Sequence, residues 1–232
     1  QPHLRLQPRE RGESPIARQS ANSLRGVPIF SGTADHRPPE TERLDIARRY
    51  PDTALLTLIV GGCDLNCIFC ETPQGGVVPA ISTERKVRAG LEAMAGRLDG
   101  AYLTGGEPSG LPWLVDVFRH ARRLGYGRVQ MQSHVGPAAD PDVASRWVDA
   151  GLSAVDVPLY GCDAPKHESI THTPGSFRNT MAGLENLRRR GLKACVHTTL
   201  FRSNLPHLAE IIGHIDALAP DAAYIQVSNE VG

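Results

Sequence analysis

Three cysteines lie within eight consecutive residues of this sequence: Cys63, Cys67 and Cys70, with the spacing Cys-x3-Cys-x2-Cys. Thiolates are the usual ligands of iron–sulfur clusters, and four of them commonly hold a four-iron cube. Three thiolates would leave one iron of such a cube open, and an open iron can bind another molecule. The segment follows an apolar run, 54–60, that is typical of a strand, and many α/β folds carry their chemistry at the carboxyl ends of strands. The spacing therefore predicts a metal centre that also binds a ligand.

Two other kinds of site use cysteine thiolates. Structural zinc takes four ligands, usually as two Cys/His pairs of short spacing, but the remaining cysteines, Cys162 and Cys195, lie far apart in the sequence. A cluster that only transfers electrons normally has four local cysteines. The sequence favours an iron–sulfur cluster with an open iron. A zinc-binding protein and an electron-transfer protein are the alternatives.

Composition narrows the classes of partner and the location. The chain has 25 basic and 25 acidic residues, so no overall charge attracts nucleic acid or an anionic membrane. The longest apolar stretch, 54–60, is far shorter than the ~20 residues of a membrane helix, and the N-terminus shows no secretory signal. Five cysteines, an odd number, do not fit a disulfide scaffold. We expect a cytoplasmic protein with no nucleic-acid or membrane partner.

The chain divides near residue 50. Residues 1–50 are rich in Arg, Pro, Ser and Gln and show weak apolar periodicity, which predicts a partly irregular N-terminal extension. We expect a surface strap or leader there, with a lid or partner-binding arm as the alternative. Residues 51–232 form the predicted core domain. Because the sequence ends directly after a strand-like segment, we also expect a C-terminal segment to be missing.

Strand-like and helix-like segments alternate through the core domain. Strict β/α alternation predicts a parallel sheet with right-handed crossovers. Six units are fewer than the eight of a closed barrel, so we expect an α/β fold of the partial, open (β/α)6 TIM-like barrel type. The predicted strands are 53–60, 101–104, 128–132, 153–159, 192–200 and 222–228, and the predicted helices are 83–97, 112–124, 140–150, 176–190 and 205–218.

Polar residues occupy the strand positions that should face the inside of this barrel. A packed closed barrel fills such positions with branched apolar side chains. We therefore expect a polar lumen that encloses a ligand. The positions are Gln130, Gln132, Asp156, His197, Gln226 and Ser228.

A second motif, Thr104-Gly105-Gly106-Glu107-Pro108, ends the second predicted strand. The cysteine motif with an aromatic residue, Phe69, before its last cysteine, followed one strand–helix–strand later by this GGEP segment, resembles the signature of the radical S-adenosylmethionine (SAM) superfamily. The resemblance covers residues 53–228, and the order of two separate motifs makes coincidence a poor explanation. It implies the partial barrel fold of the radical SAM core.

The resemblance implies a [4Fe–4S] cluster and SAM as cofactors. Cys63, Cys67 and Cys70 would bind three irons, and the fourth iron would chelate the amino and carboxylate groups of SAM. Phe69 would lie against the adenine. An electron from a donor such as a flavodoxin or ferredoxin would split SAM into methionine and a 5′-deoxyadenosyl radical, which abstracts hydrogen from the substrate.

The GGEP segment would bind the methionine end of SAM. Gly105, Gly106 and Pro108 would shape a backbone edge that hydrogen-bonds the methionine ammonium, with Glu107 bracing the loop. Glycine suits this position because a backbone without Cβ atoms can approach a ligand closely.

Further residues could contact the cofactor. By the same resemblance Gln132 and Ser133 would contact the ribose, with an exposed loop as the alternative. Asp156 could hold a ribose hydroxyl or the SAM ammonium, or make a structural hydrogen bond. Arg202 could pair with the SAM carboxylate through a bidentate fork, or be a solvated surface residue. Cys162 is a candidate catalytic residue that donates a hydrogen atom to a substrate radical, or an inert small residue.

Other polar residues are given structural roles. Cys195 lies inside a predicted strand, where core packing is expected. His167 and His172 flank a polar segment, which we expect to be a solvated loop, with contact to the substrate as the alternative. Ser176 is predicted to cap the following helix.

The two halves of the sequence resemble different members of the superfamily. Cys70-Glu71-Thr72-Pro73 and the GGEP motif are similar to 7-carboxy-7-deazaguanine synthases and glycyl-radical-activating enzymes, although Glu71 replaces an Asp of the former and weakens a magnesium role for Thr72. The stretch from Val157 to Phe177 is similar to radical SAM proteins that modify peptides or natural products. We expect an enzyme that acts on a peptide or small-molecule substrate.

Overall fold

The computed structural model describes the backbone of residues 55–60 and, with side chains, residues 62–70 and 83–227. The predicted N-terminal extension, the Glu71–Thr72 pair and Ser228 lie outside these ranges. None of the helices within them is long and apolar enough to cross a bilayer.

Six parallel strands form one sheet in the order of the sequence. Each strand pairs only with its neighbours along the chain, as in a barrel that has been opened, so the predicted fold class is confirmed. The strands are β1 Leu55–Val60, β2 Gly100–Gly105, β3 Arg128–Gln132, β4 Ala154–Pro158, β5 Lys193–Leu200 and β6 Ala222–Val227. The register aligns the carboxyl ends of β1 and β2 at Val60 and Gly105. This alignment brings the two motifs together.

Six helices lie between the described strands, and five of them were predicted within a few residues. They are α1 Glu84–Met94, α2 Leu114–Arg123, α3 Pro141–Asp149, α4 Ala164–Thr171, α5 Ser176–Arg189 and α6 Leu208–Leu218. Local sequence explains several starts. Asp140 accepts a hydrogen bond from the amide of Asp142, and Pro141 occupies the first turn of α3.

Helix α4 corrects the prediction of a solvated loop between His167 and His172. Asp163 caps it by accepting a hydrogen bond from the amide of Lys166 at 2.9 Å. Two of its three buried residues, His167 and Thr171, are polar, so no apolar period marked this short helix in the sequence. The expectation for Ser176 is also wrong, because Gly175 is the cap of α5 and the Ser176 hydroxyl hydrogen-bonds Thr171 at 2.7 Å.

The core lies between the sheet and the helices. Alternate residues of each strand face it, for example Leu103 and Met131, which are fully buried against the helices. The intervening residues face the inside of the open barrel, and those with side-chain hydrogen bonds to one another are Tyr102, Thr104, Gln132, Asp156, His197 and Tyr224. The polar lumen predicted from the sequence is therefore present at Gln132, Asp156 and His197.

Candidate active site at the carboxyl ends of the strands

The cysteine loop, residues 62–70, packs on the carboxyl end of α4. The amide of Asn66 donates to the carbonyl oxygen of Thr171 at 3.0 Å, and the amide of Ile68 donates to that of Ile170 at 2.9 Å. The last carbonyls of a helix have no partner within the helix, so the loop supplies the donors that α4 lacks. A turn bond from the Cys70 amide to the Cys67 carbonyl, 3.1 Å, folds the end of the loop.

The three cysteines of this loop form no disulfide, and their thiols lie near enough to interact electrostatically. Cys63 and Cys67 are half-buried and Cys70 is exposed. Burial, together with a smaller contribution from the neighbouring cysteines, raises the pKa of Cys63 to about 11 and that of Cys67 to about 12. These two thiols are therefore protonated at neutral pH in the metal-free protein. A bound cation would be needed to hold them as thiolates, which fits a metal centre better than a free nucleophile.

Glu107 joins the GGEP segment to the cysteine loop. Its amide donates to the carbonyl oxygen of Gly62 at 2.5 Å, directly before Cys63. Its carboxylate is buried and accepts hydrogen bonds from the amide of Ser109 (2.9 Å), the hydroxyl of Ser133 (2.6 Å) and the amide of His134 (3.0 Å). The Ser133 hydroxyl donates to Glu107 and accepts from the amide of Val135 at 2.9 Å, so it could donate to a ribose only by giving up the bond to Glu107.

His134 and Asp64 belong to the site although neither was singled out in the sequence. Nε2 of His134 lies 2.7 Å from Oδ1 of Asp64 and 3.3 Å from Oε2 of Glu107. The only signal was position, because His134 follows Ser133 directly at the end of β3. This imidazole therefore stands between the residue after Cys63 and the glutamate of the second motif.

Cys63, Asp64 and His134 could in principle bind a metal ion, because one donor atom of each lies within 4.8 Å of the others. The hydrogen bonds of the imidazole argue against it. The amide of Gly136 donates to Nδ1 of His134 at 3.0 Å, so Nδ1 accepts and Nε2 carries the proton. A protonated Nε2 cannot bind a metal but can donate to Asp64. Within the described residues the three thiols remain the better ligand set.

Phe69 packs on the rim of the barrel. Its ring stacks on Phe201 with centroids 4.6 Å apart and meets Tyr160 edge-on at 5.4 Å. The side chain is nevertheless 40% exposed. An exposed aromatic surface held in place from one side can receive another flat ring, which is the role that the resemblance implied for it.

A mostly buried carboxylate, that of Asp156, lies in the middle of the lumen network. Asp156 accepts hydrogen bonds from the hydroxyls of Tyr102 (3.1 Å) and Tyr224 (2.9 Å) and from Nδ1 of His197 (2.6 Å). Burial alone would raise the pKa of Asp156, but these donors outweigh it and the pKa is lowered. Asp156 thus makes the structural hydrogen bonds that were its alternative role, and contact with SAM stays a prediction.

Gln132 extends this network toward the motifs. Its Oε1 accepts a 2.6 Å hydrogen bond from the hydroxyl of Thr104, and its Nε2 lies 3.5 Å from Nε2 of His197. The Asp156 carboxylate fixes the proton of His197 on Nδ1, which leaves Nε2 of a neutral ring as an acceptor. The lumen therefore presents both donors and acceptors.

The remaining predicted residues lie on the rim. The thiol of Cys162 donates to Glu210 at 3.4 Å, beside the ion pairs of Lys166 with Asp163 (2.5 Å) and Glu210 (3.1 Å). None of these partners belongs to the lumen network or the cysteine loop, so hydrogen-atom donation by Cys162 stays a prediction. Arg202 is exposed two residues after β5.

Two residues differ from their expected surroundings. Cys195 is half-exposed on the lumen side, where it lines a cavity of about 380 Å³ with Asp156, Lys193 and Asp221, so core packing was wrong. His167 is fully buried rather than solvated. Its Nδ1 accepts from the amide of Tyr160 at 3.3 Å, and burial lowers its pKa to about 4.

Three cysteines in one loop at the carboxyl end of an open parallel barrel are typical of α/β enzymes that bind a metal cluster through cysteine thiolates. Comparison with protein families specifies the class: residues 57–214 match the radical SAM superfamily. The chain belongs to the radical SAM superfamily, whose members are enzymes.

Individual relatives are distant. The chain is 27% identical over 154 residues to an AdoMet-dependent heme synthase of Methanosarcina barkeri, covering 66% of this chain and 44% of the relative. It is 27% identical over 161 residues to a PqqA peptide cyclase of Ruegeria pomeroyi, covering 68% and 42%. The chain thus spans less than half the length of these curated relatives.

Solved structures support the fold. Streptococcus suis SuiB bound to S-adenosylmethionine superposes with a TM-score of 0.62 at 13% identity, over 83% of this chain and 46% of that one. Methylornithine synthase superposes with a TM-score of 0.63 at 13% identity, over 83% and 61%. At this identity the likeness concerns the fold alone.

Proposed function

We propose that this chain is the catalytic core of a radical SAM enzyme that abstracts hydrogen from a peptide or small-molecule substrate. The observation that carries the proposal is the link from Glu107 to Gly62, which sets the GGEP edge directly beside Cys63. Cys63, Cys67 and Cys70 would hold a [4Fe–4S] cluster, and SAM would bind at its open iron. When bound, the cluster supplies the electron that splits SAM into methionine and a 5′-deoxyadenosyl radical.

The residues of this chain would bind and orient SAM. Gly105, at φ 114°, and Gly106 leave backbone amides and carbonyls unshielded by Cβ atoms, which suits contact with the methionine ammonium. Phe69 offers its exposed ring to the adenine. Gln132 would contact the ribose, and Arg202 would pair with the carboxylate.

The lumen supports a polar substrate. The network around Asp156 offers hydroxyls, an imidazole and an amide below the cysteine loop. A substrate that enters the lumen must either form hydrogen bonds with these groups or leave their bonds to one another intact. Relatives named as a peptide cyclase and a heme synthase favour a peptide or metabolite substrate. A deazaguanine-synthase-like or glycyl-radical-activating activity remains the second candidate, because Cys70 to Pro73 resembles those enzymes.

The exposed side of the cysteine loop fits electron entry. Ile68 and Phe69 are 46% and 40% exposed, beside the exposed Cys70, so a donor such as a flavodoxin or ferredoxin could approach the cluster here. An oxidation-sensitive cluster also supports a reducing compartment such as the cytoplasm.

Anaerobic reconstitution tests the proposal. The wild-type chain should bind about four irons and show a change in the electron paramagnetic resonance (EPR) spectrum of the reduced cluster when SAM is added. Gly106→Val should keep the iron and weaken SAM binding, because a branched side chain blocks the close approach. Gly110→Ala is the matched control, since a Cβ there meets no atom within 4 Å. Equal SAM affinity in Gly106→Val would place the SAM site elsewhere.

A further inference from the structure

We propose that His134 is a positioning residue for the cysteine loop. Its imidazole holds the Asp64 carboxylate beside Cys63 and thereby sets the reduction potential of the metal centre. The proposal rests on the proposed function, because it concerns a cluster bound to this loop. It assigns a role to a residue that is not one of the three proposed cluster ligands.

Both neighbours of Cys63 are linked to Glu107. On one side the carbonyl oxygen of Gly62 accepts from the Glu107 amide at 2.5 Å. On the other side Asp64 accepts from Nε2 of His134 at 2.7 Å, and the amide of His134 donates to the Glu107 carboxylate at 3.0 Å. Cys63 is thus held from two directions. Among the described contacts, the second connection runs through His134 alone.

The imidazole is aimed by a strained turn. Val135, the next residue, has φ 49° and ψ 17°, a left-handed conformation that is strained for a β-branched residue. Gly136 follows, and a Cβ on it would lie 2.9 Å from Nδ1 of His134. Val135 therefore holds a strained backbone conformation. Gly136 leaves the space that the imidazole needs and donates its amide to Nδ1.

Helix α5 keeps this turn in place. A Cβ on Gly183 would collide with the carbonyl oxygen of Val135, so the helix approaches the turn as closely as a glycine permits. One turn further along α5, the side-chain amide of Asn186 donates to the carbonyl oxygens of Ala138 and Ala139, both at 3.0 Å. Contacts this close leave the imidazole little freedom, as a positioning role requires.

The charge of Asp64 gives the position a chemical consequence. Apart from its contact with His134, the Asp64 side chain is open to solvent and 68% exposed. A negative charge beside the cluster favours the oxidised form of the cluster. A hydrogen bond from Nε2–H spreads that charge and lessens its effect. Removing the donor should make the cluster harder to reduce.

The test is a redox titration of reconstituted variants, followed by EPR. His134→Leu should load iron like the wild type and have a more negative midpoint potential, and His134→Gln, which restores an N–H donor, should recover part of the shift. Asp64→Asn should move the potential in the positive direction, and adding His134→Leu to it should cause little further change.

An unchanged potential in His134→Leu with full iron content would overturn the proposal. If His134→Leu does not fold, Asp64→Asn decides, because it changes an exposed residue, and an unchanged potential there has the same meaning. A wild-type chain that takes up no iron would instead contradict the proposed function.

Discussion

The hydroxyl of Ser133 donates a 2.6 Å hydrogen bond to Oε1 of Glu107, and both side chains are buried. The bond joins the end of β3 to the segment after β2, and the Glu107 amide joins both to the loop after β1. Glu107 thus holds together the segments that follow β1, β2 and β3. The geometry of the candidate site depends on Glu107 before any cofactor binds.

Replacing Glu107 with Gln should destabilise the protein while preserving the shape of the side chain. The carboxylate accepts three hydrogen bonds, and bonds to a charged group contribute about 1.5–3 kcal/mol each. The amide keeps one good acceptor, so we expect a loss of about 2–4 kcal/mol in the free energy of unfolding. Urea denaturation measures it. A loss no greater than that of the surface variant Glu185→Gln would contradict the structural role.

Gly183→Ala and Gly213→Ala form a matched pair on helices. Alanine is about 1 kcal/mol better than glycine inside a helix, and a Cβ on Gly213 meets nothing within 4 Å. Gly213→Ala should therefore stabilise the protein. Gly183→Ala should destabilise it by at least ~1 kcal/mol, because the methyl group collides with the Val135 carbonyl. Thermal denaturation of both distinguishes them, and a stabilising Gly183→Ala would be incompatible with the packing of α5.

His167 should make stability depend on pH. Burial lowers the folded-state pKa of His167 to about 4 from 6.5, so the unfolded chain binds more protons between these values. Stability is therefore at its full value above pH 6.5 and falls as the pH drops towards 4, by at most ~3 kcal/mol.

A variant without the titrating ring isolates this effect. His167→Asn keeps an acceptor for the Tyr160 amide, so its urea midpoint should vary less between pH 6.5 and 4 than that of the wild type. Identical pH profiles for the two proteins would show that His167 is not buried in its neutral form.

Three tyrosine-to-phenylalanine variants compare the stability lost with a hydrogen bond to a charged acceptor and the stability lost with one to a neutral acceptor. The hydroxyls of Tyr102 and Tyr224 donate to the Asp156 carboxylate, whereas that of Tyr126 donates to the carbonyl oxygen of Leu91 at 2.8 Å. Losing a bond to a charge should cost about 1.5–3 kcal/mol, against about 0.5–1.5 for the carbonyl. A larger loss in Tyr126→Phe, measured by urea unfolding, would mean that the lumen carboxylate is not the centre of its network.

The regular elements and the ligand loop could be predicted because their signals are local. β3 has the predicted bounds, 128–132, since its apolar residues alternate with polar ones. The residues within each motif, the three cysteines and the GGEP segment, lie close together in the sequence, although the two motifs are far apart. Their approach in space follows from the rule that parallel strands bring their carboxyl ends to one edge.

The residues that escaped prediction depend on contacts between distant parts of the chain. His134 reaches Asp64 across 70 residues, by way of a strained turn that no local pattern shows. Cys195 was assigned to the core because it was treated as a small apolar residue, although it lies two residues from His197 and so on the same, lumen-facing side of β5. Helix α4 is short and buries polar residues, so its apolar pattern was too weak to detect.

Release of 5′-deoxyadenosine is the most direct test of the central claim. The reconstituted wild-type chain, reduced with dithionite in the presence of SAM, should form 5′-deoxyadenosine and methionine in equal amounts. Cys67→Ala should form neither, because two thiolates cannot hold the cluster with one iron open. Cys195→Ala, which changes a cysteine outside the loop, should retain the activity. A wild-type chain that binds four irons yet releases no 5′-deoxyadenosine, or a Cys67→Ala variant that releases as much as the wild type, would contradict the assignment.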